Sequence, residues 1–168
     1  MGAERGGLSL PPPRREGDRI MSELVVALGW VGIYGAMALA AVGSIIGCAL
    51  AGQAAIGAMM ETDGGYGRFV GISAMPSSQI IFGIVTMFSL QREVTASNGG
   101  ALFAIGFLAG IALMMSAIWQ GKACASAIQA AKDKPEIFGL ALAPAAIVEG
   151  FAVFAFVFAL VLAGGVPA

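Results

Sequence analysis

From about residue 23 onward the chain alternates long apolar runs with short polar breaks. Four runs are long enough to cross a bilayer, which takes roughly 20 residues of helix. They cover about Glu23–Met60, Phe69–Leu90, Ala101–Ala131 and Ile137–Ala163. The breaks between them read ETDGGYGR, QREVTASNGG and KDKPE. Glycine, proline and charge concentrate there, as turn chemistry requires. The pattern predicts an all-α membrane protein with four transmembrane helices, arranged as two helical hairpins.

The two hairpins have similar lengths, and each begins with a helix rich in small residues. Gly43, Gly47 and Ala51 share one face at a spacing of four, and Gly106 and Gly110 repeat the pattern in the third helix. Such faces let helix backbones approach closely in lipid. A duplicated hairpin is therefore expected, suited to a narrow wall built from many copies. The organisation reads as a first hairpin at 22–92, a connection at 93–100, a second hairpin at 101–163 and a tail at 164–168.

The first residues differ from the rest. MGAERGGLSLPPPRREGDRI carries three consecutive prolines and four arginines, Arg5, Arg14, Arg15 and Arg19. Residues 1–21 are expected to be a disordered leader. Met21, just before the apolar sequence, is the expected natural start.

Composition agrees with a membrane assignment. Hydrophobic residues make up 58% of the chain and charged ones 11%, against about 25% charged in soluble domains. The formal net charge of -1 gives no basis for nucleic-acid binding, and there is no histidine, the usual proton shuttle and commonest metal ligand. Cys48 and Cys124 lie within apolar small-residue runs and read as helix packing.

Against this background Glu149 stands out, alone in APAAIVEGFAVFAFVFALVL near the middle of the fourth span. A charge at that depth costs about 2.5–3.5 kcal/mol on insertion scales, so such residues mark ion or proton traffic. Depth gives it companions, because a helix rises about 1.5 Å per residue. Gln79 lies 15 residues after Gly64, Glu149 lies 15 after Lys134, and Gln120 lies 14 before Lys134. With Gly64 and Lys134 as loop centres, helices two, three and four each place one polar residue at the same level. A lone amide in hydrocarbon is costly, so the three are expected to answer one another or a shared ion. Ser78 adds a hydroxyl beside Gln79. The resulting oxygen-only set suits a hard cation. Pro76 and Pro144 each remove a backbone donor and are expected to kink their helices.

The strings MPSSQIIFG, IWQGKACASAIQ and IVEGFAVFAF carry a further signal. Through them the chain resembles the proteolipid ring subunit (subunit K, or c) of V-type and A-type rotary ATPases, in its bacterial and archaeal four-helix form. The resemblance covers about Leu28 to Ala163. It implies a homo-oligomeric ring in which Glu149 binds and releases a cation as the ring turns. The implied partners are a stator membrane subunit with an essential arginine, a central-stalk subunit at the hairpin loops, and lipid. ATP hydrolysis would occur in other subunits, so this chain is expected to catalyse nothing alone and to need no cofactor.

The resemblance also implies a ligand set for sodium: Glu149, Gln79, Gln120, Ser78 and the carbonyl of Met75. Ser78 stands where threonine is frequent. Phe82 stands where sodium-binding relatives often have a tyrosine whose hydroxyl bonds the carboxylate, and its absence favours a proton. Sodium is the expected ion, with the proton as the alternative. Aligning Phe82 with Phe154 puts Ser77 opposite Glu149, which leaves one ion site for four helices. Without the leader, Arg68, Lys122, Lys132 and Lys134 outweigh Arg92 and place both hairpin loops in the cytoplasm at the cell membrane. Two other readings compete: a small secondary transporter or channel subunit with an intramembrane carboxylate, and a structural membrane protein in which Glu149→Gln is tolerated.

Overall fold

A computed structural model describes residues 15–167. Among them there are six α-helices and no strands: α1 (Glu16–Met60), α2 (Tyr66–Ser73), α3 (Ser78–Leu90), α4 (Gly99–Asp133), α5 (Phe138–Ala141) and α6 (Ala143–Gly164). Single 3-10 turns at Met75–Ser77 and Pro135–Ile137 join α2 to α3 and lead into α5. The result is four spans long and apolar enough to cross a membrane: Glu16–Met60, Tyr66–Leu90, Gly99–Asp133 and Pro135–Gly164. These are the four helices of the duplicated hairpin read from the sequence, each bounded within a few residues of its expected ends except at the amino terminus.

There the expectation of a disordered segment to residue 21 needs correction. Residues 1–14 lie outside the described residues, but α1 begins at Glu16. Arg15 is extended (φ -61°, ψ 143°), as suits a residue that follows prolines and precedes a helix. Glu16 and Asp18 then occupy the first turn, where negative charge complements the helix dipole. Arg19 pairs with Glu23 one turn on at 3.3 Å. Lack of apolar residues removed the membrane signal from this stretch without removing its capacity to form helix.

Each hairpin closes by local chemistry. After α1, the Thr62 hydroxyl donates to the Ala58 carbonyl at 3.0 Å, and Gly65 supplies a left-handed residue (φ 73°) that would strain any other side chain. Lys132 reaches from the end of α4 to Glu61 at the end of α1, 2.6 Å away. At the opposite end Arg92 closes the bundle. Its guanidinium donates to the carbonyls of Ser89, Ala163 and Val166, at and just beyond the ends of α3 and α6. Buried Asn98 accepts from the Thr95 amide at 2.8 Å and donates to the carbonyls of Glu93 and Pro167.

The principal contact of the bundle runs along α1 and α4. Small residues allow it. A Cβ on Gly106 would enter the Gly32 backbone, and one on Gly121 the Gly47 backbone. Gly43 and Gly110 sit equally tightly, against the backbones of Met114 and Gly35. Without a hydrophobic driving force between helices in lipid, this close packing is a main source of cohesion. Helix α3 lies against both α1 and α4, whereas α6 packs on α4 and α3 but not on α1. The spans therefore step sideways in the order α1, α3, α4, α6, and the far face of α4 and α6 is left uncovered.

Candidate functional site

The interrupted second span builds one wall of the site. Pro76 has no N–H to continue the α2 ladder, so the chain tightens into the 3-10 turn Met75–Ser77 before α3 starts at Ser78. Pro76 is buried against α1, where its Cβ would lie 2.7 Å from a side chain on Gly47. This turn sets Ser78 and Gln79 in the first turn of α3, facing α4. The fourth span is interrupted at Leu142, and Pro144 occupies the first turn of α6 on an exposed face. That position tolerates proline because the missing donor would have no helical partner there.

On these elements the residues singled out by depth come together. Gln79 and Gln120 are both fully buried. Gln79 Nε2 donates to Gln120 Oε1 at 2.8 Å. Gln120 Nε2 in turn donates to Glu149 Oε2 at 3.2 Å and to the Ala145 carbonyl at 3.3 Å. The Ser78 hydroxyl stands 3.1 Å from the Met75 carbonyl and 3.2 Å from Gln79 Oε1. A connected chain thus runs from the Met75 carbonyl through Ser78, Gln79 and Gln120 to Glu149, crossing α3, α4 and α6. Glu149 is half-buried. Every link carries oxygen, and the Gln120 amide donates to both the Glu149 carboxylate and the Ala145 carbonyl.

The remaining expected residues take other places. Phe82 lies one turn beyond Gln79, stacked on Phe156 of α6 with ring centroids 5.0 Å apart, and packs on Ala40, Leu113 and Ala152. It carries no polar atom toward the chain. Ser77, the counterpart of Glu149 in the first hairpin, is exposed and bonds the Ala74 carbonyl at 2.7 Å. Gly43, Gly47, Gly106 and Gly110 belong to the α1–α4 contact and not to the polar chain.

One contributor escaped the depth argument. Buried Ser116 donates to the Val148 carbonyl at 3.0 Å. Together with the Gln120–Ala145 bond, it lets α4 hold the α6 backbone at two points in the turn that precedes Glu149. Its position four residues before Gln120, on the same helix face, was the available signal.

The sequence matches a known family over most of its length. The family model for the C subunit of ATP synthase matches twice, at residues 31–90 and 103–162. The chain belongs to the ATP synthase C-subunit family. The two matches confirm the duplication, with the second copy following the first by 72 residues. In that register Glu149 corresponds to Ser77 and Gln120 to Cys48, so the polar chain has no second copy in the first hairpin. The chain is also similar to the A-type ATP synthase subunit K of Methanocaldococcus jannaschii, at 30% identity over 139 residues. That match covers 83% of this chain and 63% of the relative's length. Membership accounts for the architecture: a multi-pass rotary-ATPase proteolipid of four transmembrane helices in two repeated hairpins.

Proposed function

We propose that this chain is an ion-carrying rotor subunit in which Glu149 takes up a cation on one side of the membrane and releases it on the other as a ring of copies turns. The observation that carries the reading is the hydrogen-bonded chain from Met75 to Glu149, five groups from three spans meeting at one depth. Rotation of the two glutamine amides would turn their oxygens toward a cation beside Glu149, with the Ser78 hydroxyl and the Met75 carbonyl completing the shell. Oxygen ligands of this kind suit a hard cation such as sodium. With the ion bound the site is neutral and crosses hydrocarbon at little cost. Empty, it bears a charge that costs about 2.5–3.5 kcal/mol or more in lipid. The membrane itself therefore penalises rotating an empty site away from the stator into lipid, and this couples rotation to transport.

The proton is the second reading. Phe82 offers no hydroxyl, and a protonated Glu149 needs no ligand shell at all. In either case a stator subunit with an arginine would discharge the carboxylate, a central stalk would bind the hairpin loops on the cytoplasmic side, and nucleotide chemistry would belong to other subunits. One site per four helices lowers the number of ions moved per turn, which suits a pump.

Carbodiimide labelling of Glu149 in isolated membranes separates the readings. These reagents attack protonated, buried carboxyl groups. Protection by millimolar sodium at fixed pH is the expected result. Labelling that depends on pH and ignores sodium would assign the proton. No labelling in either condition would sink the carrier reading.

A further inference from the structure

Two buried hydroxyls of the bundle are engaged by backbone: Thr86 donates to the Phe82 carbonyl and Ser116 to that of Val148. Ser44, on α1, is not. It is 5% exposed, and its Oγ has no hydrogen-bond partner among the described residues.

Two contacts fix its place in the seam between α1 and the second span. A Cβ on Gly83 would meet Ala40 at 2.7 Å, and one on Gly47 would meet Pro76 at 2.7 Å. The two spans run in opposite directions, so their steps match. On α1 the steps lead from Ala40 to Ser44 to Gly47; on the second span they lead from Gly83 to Gln79 to Pro76. Steps of four and three residues stay on one helix face. Ser44 therefore shares a rung with Gln79, between two rungs that are in direct contact.

Gln79 is also incompletely used. Its amide carries two hydrogens, yet fully buried Nε2 donates only to Gln120 Oε1 among the described residues. An unused donor and an unused acceptor thus occupy one rung of one buried seam. The 72-residue repeat supplies a comparison. Ser116 is the counterpart of Ser44, and the Val148 carbonyl it holds is the counterpart of the Pro76 carbonyl. Phe151 is the counterpart of Gln79 and has no polar side-chain atom. In the second hairpin the serine has only backbone to bond. In the first it stands level with an amide and leaves the backbone alone.

We infer that Ser44 is a positioning residue for the cation site, its hydroxyl oxygen accepting an amide hydrogen of Gln79 when Gln79 turns its own oxygen toward the cation. This rests on the carrier reading with sodium as the ion, and deepens it. In the structure Gln79 Nε2 is held by Gln120 Oε1. Once both glutamine oxygens turn to the cation, Nε2 loses that acceptor, and a buried donor left unpaired is costly. Ser44 supplies the replacement from α1. Its own proton is free to reach the carbonyl one turn back, as serine does within a helix. The first span thereby helps to hold the site without giving it a ligand.

Sodium protection of Glu149 from carbodiimide, measured on the purified ring at fixed pH, tests the assignment. Ser44→Ala is expected to raise the half-protecting sodium concentration about threefold to tenfold, the range for one neutral hydrogen bond. Its thermal dissociation in sodium-free buffer is expected not to fall, because the hydroxyl makes no bond in the structure. Ser116→Ala, which loses a bond that is made, is expected to dissociate more readily. In a Gln79→Leu chain, Ser44→Ala is expected to change the half-protecting concentration less than twofold, since the amide it serves is gone. A shift below threefold from Ser44→Ala alone, an equal shift in the Gln79→Leu chain, or a less stable sodium-free ring would overturn the role of Ser44. Absence of sodium protection in the unsubstituted ring would overturn the sodium reading, and this role with it.

Discussion

Gln120→Leu removes three hydrogen bonds at once while nearly preserving side-chain volume. It strips the donor from Glu149, releases the Ala145 carbonyl, and leaves Gln79 Nε2 without its 2.8 Å partner in a fully buried position. Two costs follow, and they are separable. Orphaning the buried Gln79 amide should cost about 1–3 kcal/mol of stability. Losing a hydrogen-bonding group from an ionised or ion-bound carboxylate should cost about 1.5–3 kcal/mol more, equivalent to roughly 10- to 150-fold weaker cation binding. The double variant Gln79→Leu/Gln120→Leu distinguishes the two effects. With both polar partners gone no amide is orphaned, so most stability should return, while ion affinity should stay low. Thermal dissociation of the purified ring reports the first effect. The sodium concentration that half-protects Glu149 from carbodiimide reports the second. The reasoning fails if the single variant keeps its half-protecting concentration within twofold in an intact ring, or if the double variant is no more stable than the single one.

Glu149→Gln is expected to abolish ion-coupled ATPase activity of the assembled complex while leaving ring recovery near that of the unsubstituted protein; retained coupling would contradict the carrier role. Phe82→Tyr adds a hydroxyl one turn from Gln79 and is expected to lower the sodium concentration needed for protection, which a titration at fixed pH would reveal. Gly121→Ala drives a Cβ into the Gly47 backbone and should cost the upper part of the ~1–3 kcal/mol typical of overpacking. Gly71→Ala, with open space around it, serves as the control and should not destabilise. Arg92→Met removes the charged donor from three terminal carbonyls, and amide exchange near Ala163–Val166 should quicken at least tenfold.

The spans, the duplication and the shared depth of Gln79, Gln120 and Glu149 were legible from the chain alone. The reason is that helix rise is fixed and a tight turn returns the chain to the level at which it left. Counting residues from a turn therefore measures depth, and an apolar run long enough to cross the bilayer has few alternatives to a helix. Counting says nothing about rotation of a helix around its own axis. Whether three polar residues at one level face one another depended on how α1 and α4 dock, since that contact sets the position of α3 in the groove above them. Tertiary structure supplied the bonding partners of Ser116, Asn98 and Arg92. Their partners are backbone carbonyls, those of Val148, Pro167 and Val166 among them, which every residue carries and no sequence pattern marks. The helical onset at Glu16 was missed for a related reason: hydropathy reports where a helix meets lipid, and this first turn is held by capping charge and an ion pair.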